Sequence, residues 1–122
     1  FYTYEDYAIC GSRGWTLESS DKFTTKDQKI FDRELIRLRL SLDGAKNAGY
    51  NKFIVMIHYP PVNEQREPSR FTELFNEYNV EKVIYGHIHG PALKNVLNGE
   101  FNGIEYIMTA GDYLDFNPIR IL

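Results

Sequence analysis

The chain has 122 residues, of which 43% are hydrophobic and 25% charged, and its formal net charge is −3 at pH 7. These values exclude a disordered chain, and the absence of a basic stripe argues against non-specific binding of nucleic acid. The single cysteine, Cys10, excludes an internal disulfide and fits a cytoplasmic setting, and no segment has the length of a membrane span, so we expect no membrane contact.

The pattern of apolar residues predicts strands and helices in alternation, followed by a hairpin and a last strand. In chain order the predicted elements are a strand at 7–10, a helix from 24 or 25 to 49, a strand at 53–57, a helix at 69–78, and strands at 81–85, 92–97, 104–108 and 118–122. This order is typical of an α/β fold with a mixed sheet, in which antiparallel strands extend a parallel core.

The first predicted helix has a start signal, an apolar face and a stop signal. Thr25 with Gln28 three residues later fits a capping box, and Gly49 fits a helix stop. Between them, apolar residues recur at steps of three and four and predict one buried face. The members of this face are Phe31, Leu35, Leu38, Leu42 and Ala45. The predicted turn of the later hairpin is Asn98-Gly99.

All three histidines of the chain lie in two short motifs that directly follow predicted strands. His58 comes after the strand at 53–57, and His87 and His89 lie in a Gly-His-Ile-His-Gly segment after the strand at 81–85. Ligand sites in open α/β sheets form beyond the carboxyl ends of the strands. Since histidine is the commonest metal ligand, the sequence predicts a metal site at this edge.

The spacing and flanking residues support ligand roles for these histidines. On an extended segment, His87 and His89 would point to the same face, and Gly86 and Gly90 permit sharp turns beside them. Each motif taken alone has a simpler interpretation, because a histidine after a strand is usually a hydrogen-bonded loop residue. The two motifs together, in this order, are far more specific than either one.

Two segments, Ile-His-Tyr-Pro-Pro at 57–61 and Gly-His-Ile-His at 86–89, resemble the last two active-site motifs of the calcineurin-like metallophosphoesterases. The segments at 10–15 and 111–116 are also similar to a bacterial branch of predicted phosphohydrolases. The resemblance implies that residues 1–122 form the C-terminal portion of a single metallophosphoesterase domain whose N-terminal half is absent. The implied fold is one half of a four-layer α-β-β-α sandwich.

The resemblance also implies a cofactor and a reaction. Two divalent metal ions, Mn, Fe or Zn, would be bridged by a hydroxide that attacks the phosphorus of a phosphomonoester or phosphodiester. By resemblance, His58 and His87 would bind one ion and His89 would bind the other. The substrate would be a phosphorylated molecule whose class the sequence does not specify.

The chain departs from the family pattern in its missing ligands. It has no Asp-x-His or Gly-Asn-His segment, and its Gly-Asp-x-x-Asp sequence at 111–115 comes after the histidine motifs rather than before them. We therefore assign Asp112 a turn-forming role and not the role of bridging ligand. Because three histidines fall short of the about seven or eight ligands that two ions need, we expect weak metal binding and little activity. An uncovered sheet edge or apolar face would also make the chain self-associate.

Two further residues are candidates for contact with substrate. Arg13 lies in the turn after the first strand, where a guanidinium could clamp a phosphate oxygen, although a solvent-facing turn arginine is the commoner case. Tyr59 follows His58 and could line the pocket. A non-catalytic binding or scaffold module on the same fold is the alternative function, and a structural zinc site made from the three histidines and a carboxylate is a third.

Overall fold

The computed structural model describes residues 1–122, and it has the α/β fold with a mixed sheet that the sequence predicts. The six strands are β1 (Tyr2–Tyr4), β2 (Tyr7–Ser12), β3 (Lys52–Ile57), β4 (Lys82–Tyr85), β5 (Gly99–Phe101) and β6 (Ile104–Met108). They lie in the order β1-β2-β3-β4-β6-β5. The four central strands pair in parallel, whereas β1 and β5 pair antiparallel at the two edges. No helix combines the length and apolarity needed to cross a membrane.

The capping box of helix α1 (Thr25–Asn47) lies one residue earlier than the sequence predicts. Thr24 is the N-cap, and its hydroxyl and the carboxylate of Asp27 close a capping box, so the pairing of Thr25 with Gln28 is wrong. Asp27 has a second partner that holds it at the start of the helix. One of its oxygens accepts a hydrogen bond from the Trp15 indole at 3.0 Å. The predicted stop is confirmed, since Gly49 follows the C-cap Ala48 with φ of 99°.

Both helices pack on the same face of the sheet. The second helix, α2 (Arg70–Glu77), is capped by Ser69 and lies within the predicted range. The helices meet where the rings of Phe31 and Phe71 pack edge to face, with centroids 4.9 Å apart. The predicted apolar face of α1 is buried apart from the partly buried Leu35, and it includes one charged residue that the pattern does not predict, Glu34.

The opposite face of the sheet has no helix on it. In the register of the parallel strands, Met56 lies beside Ile84, and Ile84 lies beside Ile107. These residues alternate with the core positions of their strands, and Met56 is 52% exposed. The described chain therefore has two layers, one of helices and one of sheet, with a row of aliphatic side chains on the uncovered face.

The last third of the chain differs from the sequence prediction in three places. Residues 92–97 do not form a strand, because the segment Gly90–Asn95 is a 3-10 helix that Pro91 starts. The hairpin turns at Asn102-Gly103, where both residues have positive φ as a type I′ turn requires, and not at Asn98-Gly99. Residues 118–122 are not a strand, since β5 occupies the position beside β6. The edge strand β1, by contrast, lies outside the predicted elements.

Candidate metal centre

The two histidine motifs meet at the carboxyl ends of β3 and β4, as the sequence predicts. Ile57 and Tyr85, the last residues of the two strands, are partners in the parallel register. The chain then continues into His58 and Gly86, and the Gly86 amide donates a hydrogen bond to the His58 carbonyl at 3.2 Å. Sheet pairing thus brings together two motifs that are 28 residues apart.

His58 and His87 lie in direct contact. The His58 Nε2 and the His87 Nδ1 are 3.0 Å apart, and the two rings are nearly perpendicular. Two imidazole nitrogens bound to one ion at about 2.0–2.1 Å lie roughly 2.8–3.4 Å from each other at octahedral or tetrahedral angles. The observed separation therefore fits two ligands of one first-row metal ion. In the metal-free protein, one of the two nitrogens must carry the proton that the other accepts.

The backbone conformation of His87 separates its side chain from that of His89. His87 has φ of 73°, and the Ile88 amide donates to the Gly86 carbonyl at 2.9 Å, which is the hydrogen bond of a γ-turn. The expectation of an extended segment with both histidines on one face is therefore wrong. The γ-turn breaks the alternation of side chains, so His87 contacts His58 while His89 contacts another partner.

That partner is Asp112, which lies in the turn after β6. Its Oδ1 is 2.8 Å from the His89 Nδ1, and its Oδ2 accepts a hydrogen bond from the Gly90 amide at 3.0 Å. The hydrogen bond to His89, followed by the one from Gly90, holds the pKa of the Asp112 carboxyl below its usual range. The aspartate does bond within its own turn, through the Tyr113 amide. Its contact with His89 goes beyond the turn-forming role that the sequence predicts.

The surroundings of His87 favour its neutral form. Burial lowers the pKa of His87, and the nearby charges that His58 and His89 would carry lower it further. A neutral imidazole has a free lone pair, whereas an imidazolium has none. The site therefore favours the form of His87 that binds a metal ion.

Tyr59 and Trp15 form an aromatic wall beside the histidine pair. The Tyr59 ring lies over His87, with centroids 4.2 Å apart, and the Trp15 ring lies 5.0 Å from Tyr59. All three residues line an open cavity of about 570 Å³, whose rim includes Asn63 and Glu64. The structure thus places Tyr59 on the wall of the cavity that reaches His87, and contact between Tyr59 and a substrate stays a prediction.

Arg13 contacts the site through its backbone. Its carbonyl oxygen accepts hydrogen bonds from the amides of both His58 and Tyr59, each at 3.1 Å. Its guanidinium bonds the buried carboxylate of Glu34 at 3.2 Å and lies over the Trp15 ring. Contact between this guanidinium and a phosphate stays a prediction, and in this structure Glu34 is its ionic partner.

The donor atoms fit a divalent metal ion in kind but not in number. No three of the histidine, cysteine, aspartate and glutamate side chains lie close enough together to hold one ion. The structure therefore offers a two-histidine pair and a separate histidine, and it does not gather three histidines and a carboxylate into the single zinc site considered above. Comparisons with protein-family models, curated proteins and solved structures found no match to this chain.

Proposed function

We propose that this chain is part of a metal-dependent phosphoesterase that hydrolyses a phosphomonoester or a phosphodiester. Its contribution is the edge of the sheet where His58, His87 and His89 lie, which we call the histidine edge. The observation that supports this function is the 3.0 Å contact between His58 Nε2 and His87 Nδ1 at the carboxyl ends of two parallel strands. Imidazole nitrogens at this spacing and at this edge of a sheet suit a divalent ion such as Mn²⁺, Fe²⁺ or Zn²⁺.

In this proposal each residue of the edge has a separate task. His58 and His87 hold one ion together, and His89 contributes to a second. Bound divalent ions would supply Lewis acidity at the phosphoryl oxygens. The Arg13 carbonyl fixes the direction of His58 by binding the two amides that follow β3. Tyr59 and Trp15 form the wall against which the organic part of a phosphate ester packs.

The remaining ligands lie outside this chain in our proposal. Three histidines do not complete two sites, and no further cluster of ligands stands near them. The uncovered sheet face ends at the same edge, since Met56 and Ile84 line a depression of about 440 Å³ together with all three histidines. A second sheet packed on this face, as in a four-layer sandwich, would bring its own ligands to the histidines.

A zinc titration of three single variants tests the shared site. We expect His58→Ala and His87→Ala each to weaken the tightest zinc site of the chain by at least about tenfold, because each removes one of two ligands. His89→Ala is the matched control, since it removes the third histidine of the chain and leaves the pair intact. Equal effects of the three variants, or none, would contradict the proposed pair.

A non-catalytic binding or scaffold module on the same fold is the second candidate. The observation that favours it is the lack of any cluster of three or more ligands in the described chain. Hydrolysis of p-nitrophenyl phosphate and bis(p-nitrophenyl) phosphate by the protein from its native source, with Mn²⁺, Fe²⁺ or Zn²⁺ added, separates the two. Metal-dependent hydrolysis lost in His58→Ala supports the phosphoesterase, whereas zinc binding without hydrolysis supports the scaffold.

A further inference from the structure

We infer that Asp112 is a positioning residue for His89, fixing which nitrogen of that ring is free to bind a metal ion. The inference rests on the proposed function for its purpose, but the hydrogen-bond geometry stands independently of it. His89 lines the depression beside His58 and His87, whereas Asp112 does not line it. The carboxylate therefore contacts His89 from outside this depression.

The contacts of Asp112 determine the tautomer of His89. A carboxylate accepts hydrogen bonds and donates none, so the His89 Nδ1, at 2.8 Å from Oδ1, must carry a proton. In the neutral ring, Nε2 then has the free lone pair. Carboxylate partners of this kind orient ligand histidines and raise their basicity in many metal sites.

Two backbone amides also hold the Asp112 carboxylate in place. Its Oδ2 accepts from the Gly90 amide at 3.0 Å, and its Oδ1 also accepts from the Tyr113 amide at 3.1 Å. These two amides belong to the segments that follow β4 and β6, the parallel neighbours whose ends meet at this edge. Asp112 thus links the segment of His89 and Gly90 to the turn at residues 111–116.

Two simpler roles for Asp112 agree less well with these contacts. If it were a ligand of an ion held beside the three histidines, it would line the depression that they line, but it does not. If it served the turn alone, it would need no histidine partner. Asp115, in the same turn, makes no side-chain contact with a histidine, and it therefore offers a matched control.

The test uses the metal-free chain and reads the tautomer directly. Long-range ¹H–¹⁵N correlation spectra, recorded above the ordinary histidine pKa, distinguish a protonated Nδ1 from a protonated Nε2. We expect His89 to be protonated at Nδ1 in the wild type and in Asp115→Asn. In Asp112→Asn we expect the population with protonated Nε2 to rise, because an amide can donate to Nδ1 where a carboxylate cannot.

A zinc titration of the same three proteins supplies the second readout. We expect Asp112→Asn to weaken the zinc site that depends on His89 by about 10–100-fold, and to leave the site of His58 and His87 unchanged. The wild-type spectrum needs no variant, so it still decides the matter if Asp112→Asn fails to fold.

The two readouts separate failure of this inference from failure of the proposed function. A wild-type His89 protonated at Nε2, or a tautomer that Asp112→Asn leaves unchanged, would overturn the inference even if zinc binds. A tautomer that depends on Asp112, in a chain that binds no zinc at any histidine, would support the positioning contact and reject the proposed metal centre.

Discussion

At the scale of single residues, the left-handed backbone of His87 connects the geometry of the site to the stability of the chain. A non-glycine residue in such a sparsely populated region costs about 1–3 kcal/mol, and such residues cluster at functional sites. His87 has φ of 73° because it is the central residue of the γ-turn that starts at Gly86. This conformation directs the His87 ring toward His58. The protein therefore has a strained residue at the position where the His58 and His87 rings meet.

This strain predicts opposite effects of glycine at the two histidines of the motif. We expect His87→Gly to unfold in urea with a free energy about 1 kcal/mol higher than His87→Ala, because glycine adopts positive φ without strain. His89 has φ of −137°, so His89→Gly should be less stable than His89→Ala. The same order at both positions would show that the γ-turn stores no strain.

Burial of Cys10 predicts a thiol that does not react in the native state. The side chain is 2% exposed, and burial raises the pKa of the Cys10 thiol. The native state thus holds this proton at alkaline pH where the unfolded chain releases it, so the free energy of unfolding should fall as the pH rises above about 9.

A disulfide-based thiol reagent should label one thiol per chain in urea but none rapidly in buffer. Fast labelling of the native protein near neutral pH would contradict this.

The His58–His87 contact was predictable at this scale, whereas the partner of His89 was not. Each of the two motifs directly follows an apolar strand, and strand pairing alone brings them together. Asp112 lies 23 residues after His89, beyond the 3-10 helix and the β5–β6 hairpin, and the residues around it have the pattern of a turn. The available signal was its position just after β6, because β6 ends beside β4 at the same edge.

At the scale of elements, the central strands were predictable because burial leaves a continuous apolar run in the sequence. Phe53, Val55 and Ile57 of β3 face the helices, and the uncovered face of the same strand is also apolar. The edges carry no such run. All residues of β1 are exposed, and β5 is short and partly exposed, so the apolar pattern does not reveal them.

The close approach of β2 to β3 predicts a severe effect of a single methyl group. A Cβ added at Gly11 would overlap with the Met56 carbonyl oxygen, a backbone atom that can move away only if the strands separate. We expect Gly11→Ala to lower the free energy of unfolding by about 3 kcal/mol, as forced overpacking does. Gly44→Ala, on α1, is the control.

The control has room for the same methyl group. A Cβ at Gly44 would lie 3.6 Å from the Phe1 ring, and alanine favours a helix over glycine by about 1 kcal/mol. We therefore expect Gly44→Ala to be neutral or stabilising in the same urea measurement. A Gly11→Ala chain as stable as the wild type would show that the two strands are not so closely packed at this point.

At the scale of the whole molecule, the sheet has one covered face and one open face. The open face carries the adjacent aliphatic residues Met56, Ile84 and Ile107, and it ends at the histidine edge. Contiguous exposed apolar surface usually marks an interaction site. In the proposed phosphoesterase a second sheet would cover this face, and when the chain is alone we expect another copy of it to do so.

Sedimentation velocity tests this expectation with two lysine variants. We expect Met56→Lys to weaken self-association by about 100-fold, because burying an unpaired ammonium costs several kcal/mol. Leu40→Lys is the matched control, since Leu40 is 66% exposed on α1, away from the open face. A wild-type chain that stays monomeric at high concentration, or equal effects of the two variants, would contradict the open face as the contact surface.

The central claim is that His58 and His87 together bind one divalent ion, and Mn²⁺ tests it most directly. Mn²⁺ is paramagnetic and broadens the resonances of nearby nuclei, so a titration observed through the histidine ring signals shows where the ion binds. We expect the signals of His58 and His87 to disappear together, at the lowest additions, before those of exposed carboxylate side chains. Even broadening over the surface, or histidine signals that persist with excess Mn²⁺, would contradict the metal centre and the phosphoesterase proposed from it.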